Sequence, residues 1–569
     1  MRSRCALPAT GIVFVVAFSG AAALPGAVAT PVARGGRVAI AVTSEPKTLN
    51  PLTAADQTTR DVLSALSADL VHINRATLRT EPALAASWSI SPDGLHYTVT
   101  LRDGLRFSDG APLTADDVVF TFQVHLDPRV NSPQRDLLIV DGKPMGISKV
   151  SPTTIRFDLP APYAPAERLF DAFWILPKHR LERAYLDGRI QEAWSLGTPP
   201  ADVVTAGAFR VRQYVPGQRL TIERNPFYWK HDEDGQPLPY LDSIDVVFAG
   251  DQNGQLLRLL SHDVAAASKL RPEDLARLEQ TPGLQVRDAG PSLEYNFLFF
   301  NWNAPPPVGD WARSLKFRQA MAWAVDRAAI VRLVYQGRAA ALSSAVTPGN
   351  RLWRADGVVE YGYDPARAAR LLEEAGFRRQ VGGPLVDAAG RPVEFSLMVS
   401  ASSQARRKMA TLVQDDLAKI GIAARLQPIE FGVMLDAVTK TRRFDAAVWG
   451  IASGDADPNA DVNVWATSGT LHVWNMKAAN AAAAPPPEPW EVDVDRLMRA
   501  QMIATTVAAR KAAYDQVQQL VSANAPLVFL ASPHVLAAAD RALGNFEPGI
   551  LDPVLLWNAD RWFWARPQS

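Results

Sequence analysis

The chain has 569 residues, 48% of them hydrophobic and 21% charged, an ordinary globular composition on a length that exceeds what one core serves. Lys plus Arg equals Asp plus Glu at 59 each, so charge makes no case for nucleic acid or an anionic membrane surface as a partner. The single cysteine, Cys5, excludes an internal disulfide and a cysteine-ligated metal.

Residues 1–29 read as an export leader. Arg2 and Arg4 precede an apolar run from Gly11 to Ala23, and Ala27-Val28-Ala29 fits a small-x-small cleavage site. Pro8 and Pro25 interrupt the apolar stretch and leave it short of the roughly 20 residues of a membrane span. No cysteine follows it to accept a lipid, so the expected product is soluble, exported and not a lipoprotein. Gly36–Val42 (GRVAIAV) predicts a strand and Asp56–Leu70 a helix.

From Glu81 to Gln123 the pattern is denser. Leu95, Tyr97, Val99 and Leu101 alternate with polar residues, the period of a half-buried strand, between turns at Pro92-Asp93-Gly94 and Arg102-Asp103-Gly104. Leu105 and Phe107 predict a second short strand stopped by Ser108-Asp109-Gly110. Thr114, with Asp117 three residues on, predicts a capped helix through Val118, Val119, Phe120 and Phe122.

The wording of this stretch, EPALAASWSISPDGLHYTVTLRDGLRFSDGAPLTADDVVFTFQ, closely resembles the opening lobe of the family 5 extracellular solute-binding proteins, the peptide- and nickel-type receptors of bacterial ABC importers. Ser44–Pro51 resembles the family's first strand and loop. Thr205–Trp229 resembles its GTGPF…RNP.YW block, with Ala206 and Ala208 where the family favours Gly and Pro. FRQAMAWAVDRAAIV (317–331) is also in the family's wording, so the resemblance covers nearly the whole chain after the leader.

The remaining elements fit that length. Ala208–Tyr214 and Arg219–Glu223 predict a hairpin about Pro216-Gly217, Tyr240–Phe248 a strand and Gln252–Leu260 a helix. Beyond Leu293, Phe317, Ala320, Met321, Ala324 and Val325 share a helix face, and Asp326 caps the next helix. Asp364-Pro365 opens a helix stopped by Gly376. Met409, Leu412, Val413, Leu417 and Ile420 line a helix ended by Gly421. Ala478–Pro489 is low-complexity and reads as a surface loop. Arg510–Asn524 is a helix and Leu527–Leu530 a buried strand.

Motifs of catalysis are missing: there is no HExxH, GxSxG or GxxxxGK[ST] stretch, and no pair of the eight His is spaced i, i+4 on a helix. The chain is therefore expected not to be an enzyme and to need no cofactor or metal. A secreted hydrolase is the remote alternative.

For binding, Phe444–Asp461 (FDAAVWGIASGDADPNAD) is the sharpest stretch. Alternation puts Trp449 on the strand face opposite Phe444, Ala446 and Val448. The resemblance implies that a Trp here and an acidic loop after it face the ligand, with an Asp pairing a peptide's α-ammonium. Spacing leaves Asp455 and Asp457 both open. Asp457 before Pro458 also reads as an N-cap and N1 pair, and a calcium loop through Asp455, Asp457 and Asp461 lacks the glycine and closing glutamate of an EF-hand.

Ser44, Glu45, Trp474 and Asn475 complete the expected ligand-binding set; Trp465 is assigned to the core. Dipeptide-type members carry an Arg in the loop before the Met409 helix. Ser400-Ala401-Ser402-Ser403 stands there instead, and Arg406 and Arg407 read as a solvated helix face, which favours longer peptides or a ligand without that carboxylate.

What the resemblance implies is a two-lobed α/β periplasmic binding protein fold with a hinge of two crossovers. Lobe I spans 30–292 and 532–569, with an extra subdomain around 55–190, and lobe II spans 293–531. The implied function is a monomeric periplasmic receptor that captures oligopeptides between its lobes and delivers them to an ABC permease and its ATPase. The alternative is a same-fold receptor for another solute, such as an oligosaccharide or a metal chelate.

Overall fold

The computed structural model describes residues 33–54, 56–380, 383–476 and 486–565. The leader, Cys5 and 478–485 of the expected surface loop lie outside the described residues.

Three larger sheets organise the chain. The first has eight strands, with Arg37–Val42 parallel to Ser243–Phe248 on one side and to Ala266–Ser268 on the other. Arg219–Arg224 and Phe209–Val215 extend it antiparallel beyond Ser243–Phe248. On the opposite flank Ala531–Asp540 pairs antiparallel with Ala266–Ser268, Leu284–Pro291 and Ala339–Ala341.

The second sheet has five strands in the order Ala423–Ile429, Glu394–Ser400, Ala446–Ala452, Glu294–Phe300, Leu527–Phe529. Glu294–Phe300 reads EYNFLFF, and all but its first residue is buried. A continuous apolar run of this kind suits a strand covered on both faces, and here helices Leu315–Ala324 and Gln404–Lys419 contribute to the same core. The chain leaves the first sheet at Pro291, enters the second at Glu294, and returns between Phe529 and Ala531, so two short crossovers join two lobes.

The third sheet, antiparallel and four-stranded, runs Ala85–Ile90, His96–Leu101, Thr154–Asp158, Gly146–Ser151. In His96–Leu101 the side chains of Tyr97, Val99 and Leu101 are buried and the intervening ones half-buried, as the alternation requires. They pack against helix Ala115–Leu126, whose Thr114 and Asp117 form the reciprocal capping box. Asp326 and Asp364 also cap as expected, accepting from the amides of Ala329 and Arg367 at 2.8 Å each.

Two expected elements are shorter than their patterns. Leu105 and Phe107 form no strand: a single bridge joins Arg106 to Pro112, because Pro112 has no N–H to extend a ladder and the Asp109-Gly110 turn closes at once. The helix expected to reach Leu70 spans Gln57–Leu66. The Gly207 amide takes the Leu66 carbonyl at 2.8 Å, and a Cβ on Gly207 would lie 2.3 Å from the Leu66 carbonyl carbon. The segment leading into strand Phe209–Val215 thus stops the helix, and Ser67 turns to extended backbone. Among the described residues no helix is long and apolar enough to cross a membrane.

Candidate functional site

A cavity of about 910 Å³ lies between the lobes. The first lobe supplies the turn after the first helix (Ser67, Asp69), His72–Ala83, Asp171–Trp174, Tyr228–Lys230 and the C-terminal stretch Ile550–Arg561. Across from these, the second lobe supplies Leu293, Glu294 and Ala452–Gly454. An apolar cluster of Ile73, Leu78, Leu293, Ala456 and Leu551 joins both lobes and the C-terminal stretch at the cavity's edge.

Most cavity-lining charges are matched. Arg75 forks Asp171 at 2.8 and 3.0 Å and also donates to the Ile73 carbonyl. Burial pushes Asp171 up, but Arg75 outweighs it and holds the carboxyl below its ordinary range. Lys269 pairs with Asp552 at 3.1 Å, Lys230 with Asp560 at 3.0 Å, and Arg406 with Glu294 at 2.9 Å. Asp69 differs: its side-chain partner among the described residues is the His72 imidazole, Nδ1 to Oδ2 at 3.4 Å, and burial pushes its carboxyl above the ordinary range. Trp174, Trp229 and Trp557 add aromatic surface to the lining.

Arg406 corrects the sequence reading. It does not sit on a solvated helix face but reaches the sheet, donating to Asn296 Oδ1 at 2.9 Å and to Glu294 at 2.9 Å. Its position in the helix's first turn directs its long side chain back over the start of strand Glu294–Phe300.

The seven expected ligand-binding residues fall into three places, and none lines the large cavity. Exposed Ser44 bonds Thr58 Oγ1 at 2.8 Å. Glu45 accepts from the Tyr214 hydroxyl and, at 3.0 Å, from the Gly217 amide, which together hold its carboxyl below the ordinary range. Ser44 thus ties to the first helix and Glu45 to the hairpin of Phe209–Val215 and Arg219–Arg224.

Trp449 is buried between Phe299 and Phe431, ring centroids 6.2 and 6.3 Å away, because both faces of its sheet are covered. Trp474 and Asn475 are buried on Glu491, which accepts from Trp474 Nε1 at 2.7 Å and Asn475 Nδ2 at 3.0 Å. His472 and the Glu488 amide complete this carboxylate's partners. Trp465 is in the same core, 3% exposed.

Asp455 and Asp457 line a recess of about 20 Å³, room for roughly one water, together with Asp461. The two have different partners. Arg168 of the first lobe forks Asp455, so this ion pair crosses between lobes. Asp457 is forked by Arg510 at 2.8 Å to each oxygen and accepts the Asn459 amide, with Pro458 at N1. The N-cap reading of Asp457 thus describes its local role. Tyr163 and Asn459, and the Ala164 amide with the Met502 carbonyl, close the same seam.

What pattern reading misses is the wall built from Ser67, Asp69, His72, Asp171 and Asp560. Of its neighbours only Tyr228 and Trp229 lie in a block with a recognisable motif. The others meet through separations such as the 96 residues between Arg75 and Asp171.

A two-lobed binding protein that encloses a solute between its lobes is the class this fold and cleft define. The description "bacterial extracellular solute-binding proteins, family 5 Middle" matches residues 79–471, and the chain belongs to that family. It is 29% identical over 528 residues to a probable ABC transporter-binding protein of Deinococcus radiodurans, covering 88% of each chain. It is 28% identical to the dipeptide-binding protein of Escherichia coli over 73% of this chain and 75% of that one. Among solved structures it resembles the ABC transporter substrate-binding protein CtaP of Listeria monocytogenes, with TM-score 0.77, 25% identity, and coverage of 94% of this chain and 100% of that one.

Proposed function

We propose that this protein is the periplasmic capture subunit of an ABC importer, and that it holds an oligopeptide between its lobes and presents the closed form to a membrane permease driven by a separate ATPase. The observation that carries this reading is the 910 Å³ cavity walled by both lobes, at the upper end of the roughly 300–1,000 Å³ of small-molecule sites. Ser292–Glu294 and Ala452–Gly454 bring the second lobe's backbone to the cavity wall opposite the first lobe. Relatives named for dipeptide and ABC-transporter binding support the solute class and the partner. Export by a cleaved leader, a monomeric state and the absence of any bond-making step belong to the same reading.

Asp455 keeps a part in it. With Arg168 as its partner, it acts as a latch that closes the lobes over the solute.

Native mass spectrometry of protein purified from periplasm without denaturation tests the reading. A ladder of adducts that fragment as peptides is the expected result. A single adduct with the mass of a sugar or a chelate would overturn the peptide assignment while leaving the receptor role.

A further inference from the structure

One wall of the cleft holds more acceptors than donors. Ser67 is 9% exposed, lines the cavity, and its Oγ has no hydrogen-bond partner among the described residues. Asp560 is 7% exposed; its Oδ2 takes Lys230 at 3.0 Å and the Tyr228 hydroxyl at 3.3 Å, while Oδ1 has no partner among the described residues. Asp69 has the His72 imidazole at 3.4 Å, and no lysine or arginine among the described residues forms an ion pair with it. Asp560 and Asp69 both act on the Tyr228 hydroxyl, which burial first, and then these carboxylates, push well above its ordinary pKa.

These groups share one paired cation, Lys230 on Asp560, while Arg75 is committed to Asp171 and acts on Asp69 only from beyond ion-pair distance, so acceptors outnumber donors. An ammonium brings three donors and a guanidinium five, each with a full charge. A metal ion fits less well. Asp69, His72 and Asp171 offer ligand atoms within 4.8 Å of one another, but Arg75 already forks Asp171, occupying the carboxylate a metal would need. A buried carboxylate with no cation is costly, and the cost is removed when a ligand supplies one.

We propose that this wall is a cation subsite, in which the ammonium or guanidinium of the ligand seats against Asp69, Asp560 and Ser67, so that the receptor prefers solutes with a positively charged nitrogen over neutral isosteres. The inference rests on the reading of the cleft as the solute site and deepens it.

The test is calorimetric titration of the full-length mature protein, stripped of co-purified solute. The probes are the pentapeptide Ala-Ala-Lys-Ala-Ala, its N-acetyl form, its norleucine counterpart, and the free amines agmatine and cadaverine. The lysyl peptide is expected to bind about tenfold or more tighter than the norleucine peptide, a preference that Asp69→Asn removes. If N-acetylation costs that factor and norleucine does not, the subsite takes the α-ammonium instead of the side chain.

Equal affinity for all three peptides overturns the subsite and leaves the peptide reading standing. Binding of an amine but of no peptide, lost in Asp69→Asn, keeps the subsite and overturns the peptide reading. No binding of any probe overturns both. Nickel or zinc binding that competes with the lysyl peptide and is lost in Asp69→Asn overturns it in favour of a metal. The peptide comparisons on the wild-type protein stand whether or not the variant folds.

Discussion

Two acidic regions lie where the lobes meet, and they treat their charge in opposite ways. In the recess, Asp457 has Arg510 and Asp455 has Arg168, each carboxylate gripped by a guanidinium fork. On the cleft wall, Asp69 has an imidazole, and Asp560 has Lys230 on one oxygen while the other has no partner among the described residues. A fork that fills both oxygens leaves no capacity for a ligand, so the recess holds the molecule together. Unfilled acceptors on a cavity wall are capacity held in reserve, which is where a solute contributes most. The same residue type thus serves architecture in one place and recognition in the other, and the partner decides which.

The largest effect is expected from breaking the recess. Arg510→Met strands the Asp457 carboxylate, only 4% exposed, and should lower stability by about 3–5 kcal/mol in urea unfolding. A loss under about 1 kcal/mol would show that the pair is not structural.

Next is the support of the cleft wall. Gly207→Ala puts a Cβ 2.3 Å from the Leu66 carbonyl carbon, just before Ser67 and Asp69. It should cost about 1–3 kcal/mol and weaken solute binding with it, read by melting and titration together. Stability lost with affinity intact would separate Gly207 from the wall.

Asp455→Asn sharpens the contrast within the recess. Its pair is 10% and 23% exposed and spans the lobes, so about 1–2 kcal/mol should be lost from closure of the lobes. Small-angle scattering of the solute-free protein should show a larger radius of gyration, which Arg510→Met at a pair within one lobe does not predict.

The last effect is pH-dependent. Asp461 has Ser453 Oγ at 3.1 Å and no ion pair among the described residues, and burial pushes its pKa up to about 6. A folded pKa above the unfolded value of 3.8 means that the folded state binds the extra proton between pH 4 and 6. Stability from this group is therefore present in full below about pH 4 and lost as pH rises through about 6. Asp461→Asn should be more stable than wild type by about 1–3 kcal/mol at pH 8, with the gap closing by pH 4. A constant gap across that range would contradict the shift.

Local chemistry is legible in this sequence. The alternation in His96–Leu101, the Thr114–Asp117 capping box, the Asp364-Pro365 helix start and the Asp457-Pro458 N-cap all depend on residues within a few positions of each other. The family wording also carries the two-lobed fold, which the five- and eight-stranded sheets display. The cleft wall depends on distant pieces of chain. Nothing near Asp69 announces that it lines one cavity with Tyr228 and Asp560, and nothing near Leu66 announces that Gly207 ends its helix. Trp449 shows the converse: a large aromatic next to an acidic loop looks like a platform, yet both faces of its sheet are filled.

The most direct measurement is a crystal structure of the protein with the solute it retains on native purification. Density in the 910 Å³ cavity, with a basic nitrogen within hydrogen-bond distance of Asp69 or Asp560, is the predicted result. Solute held by Asp455 or Asp457 in place of Arg168 or Arg510, with the cleft wall untouched, would contradict it.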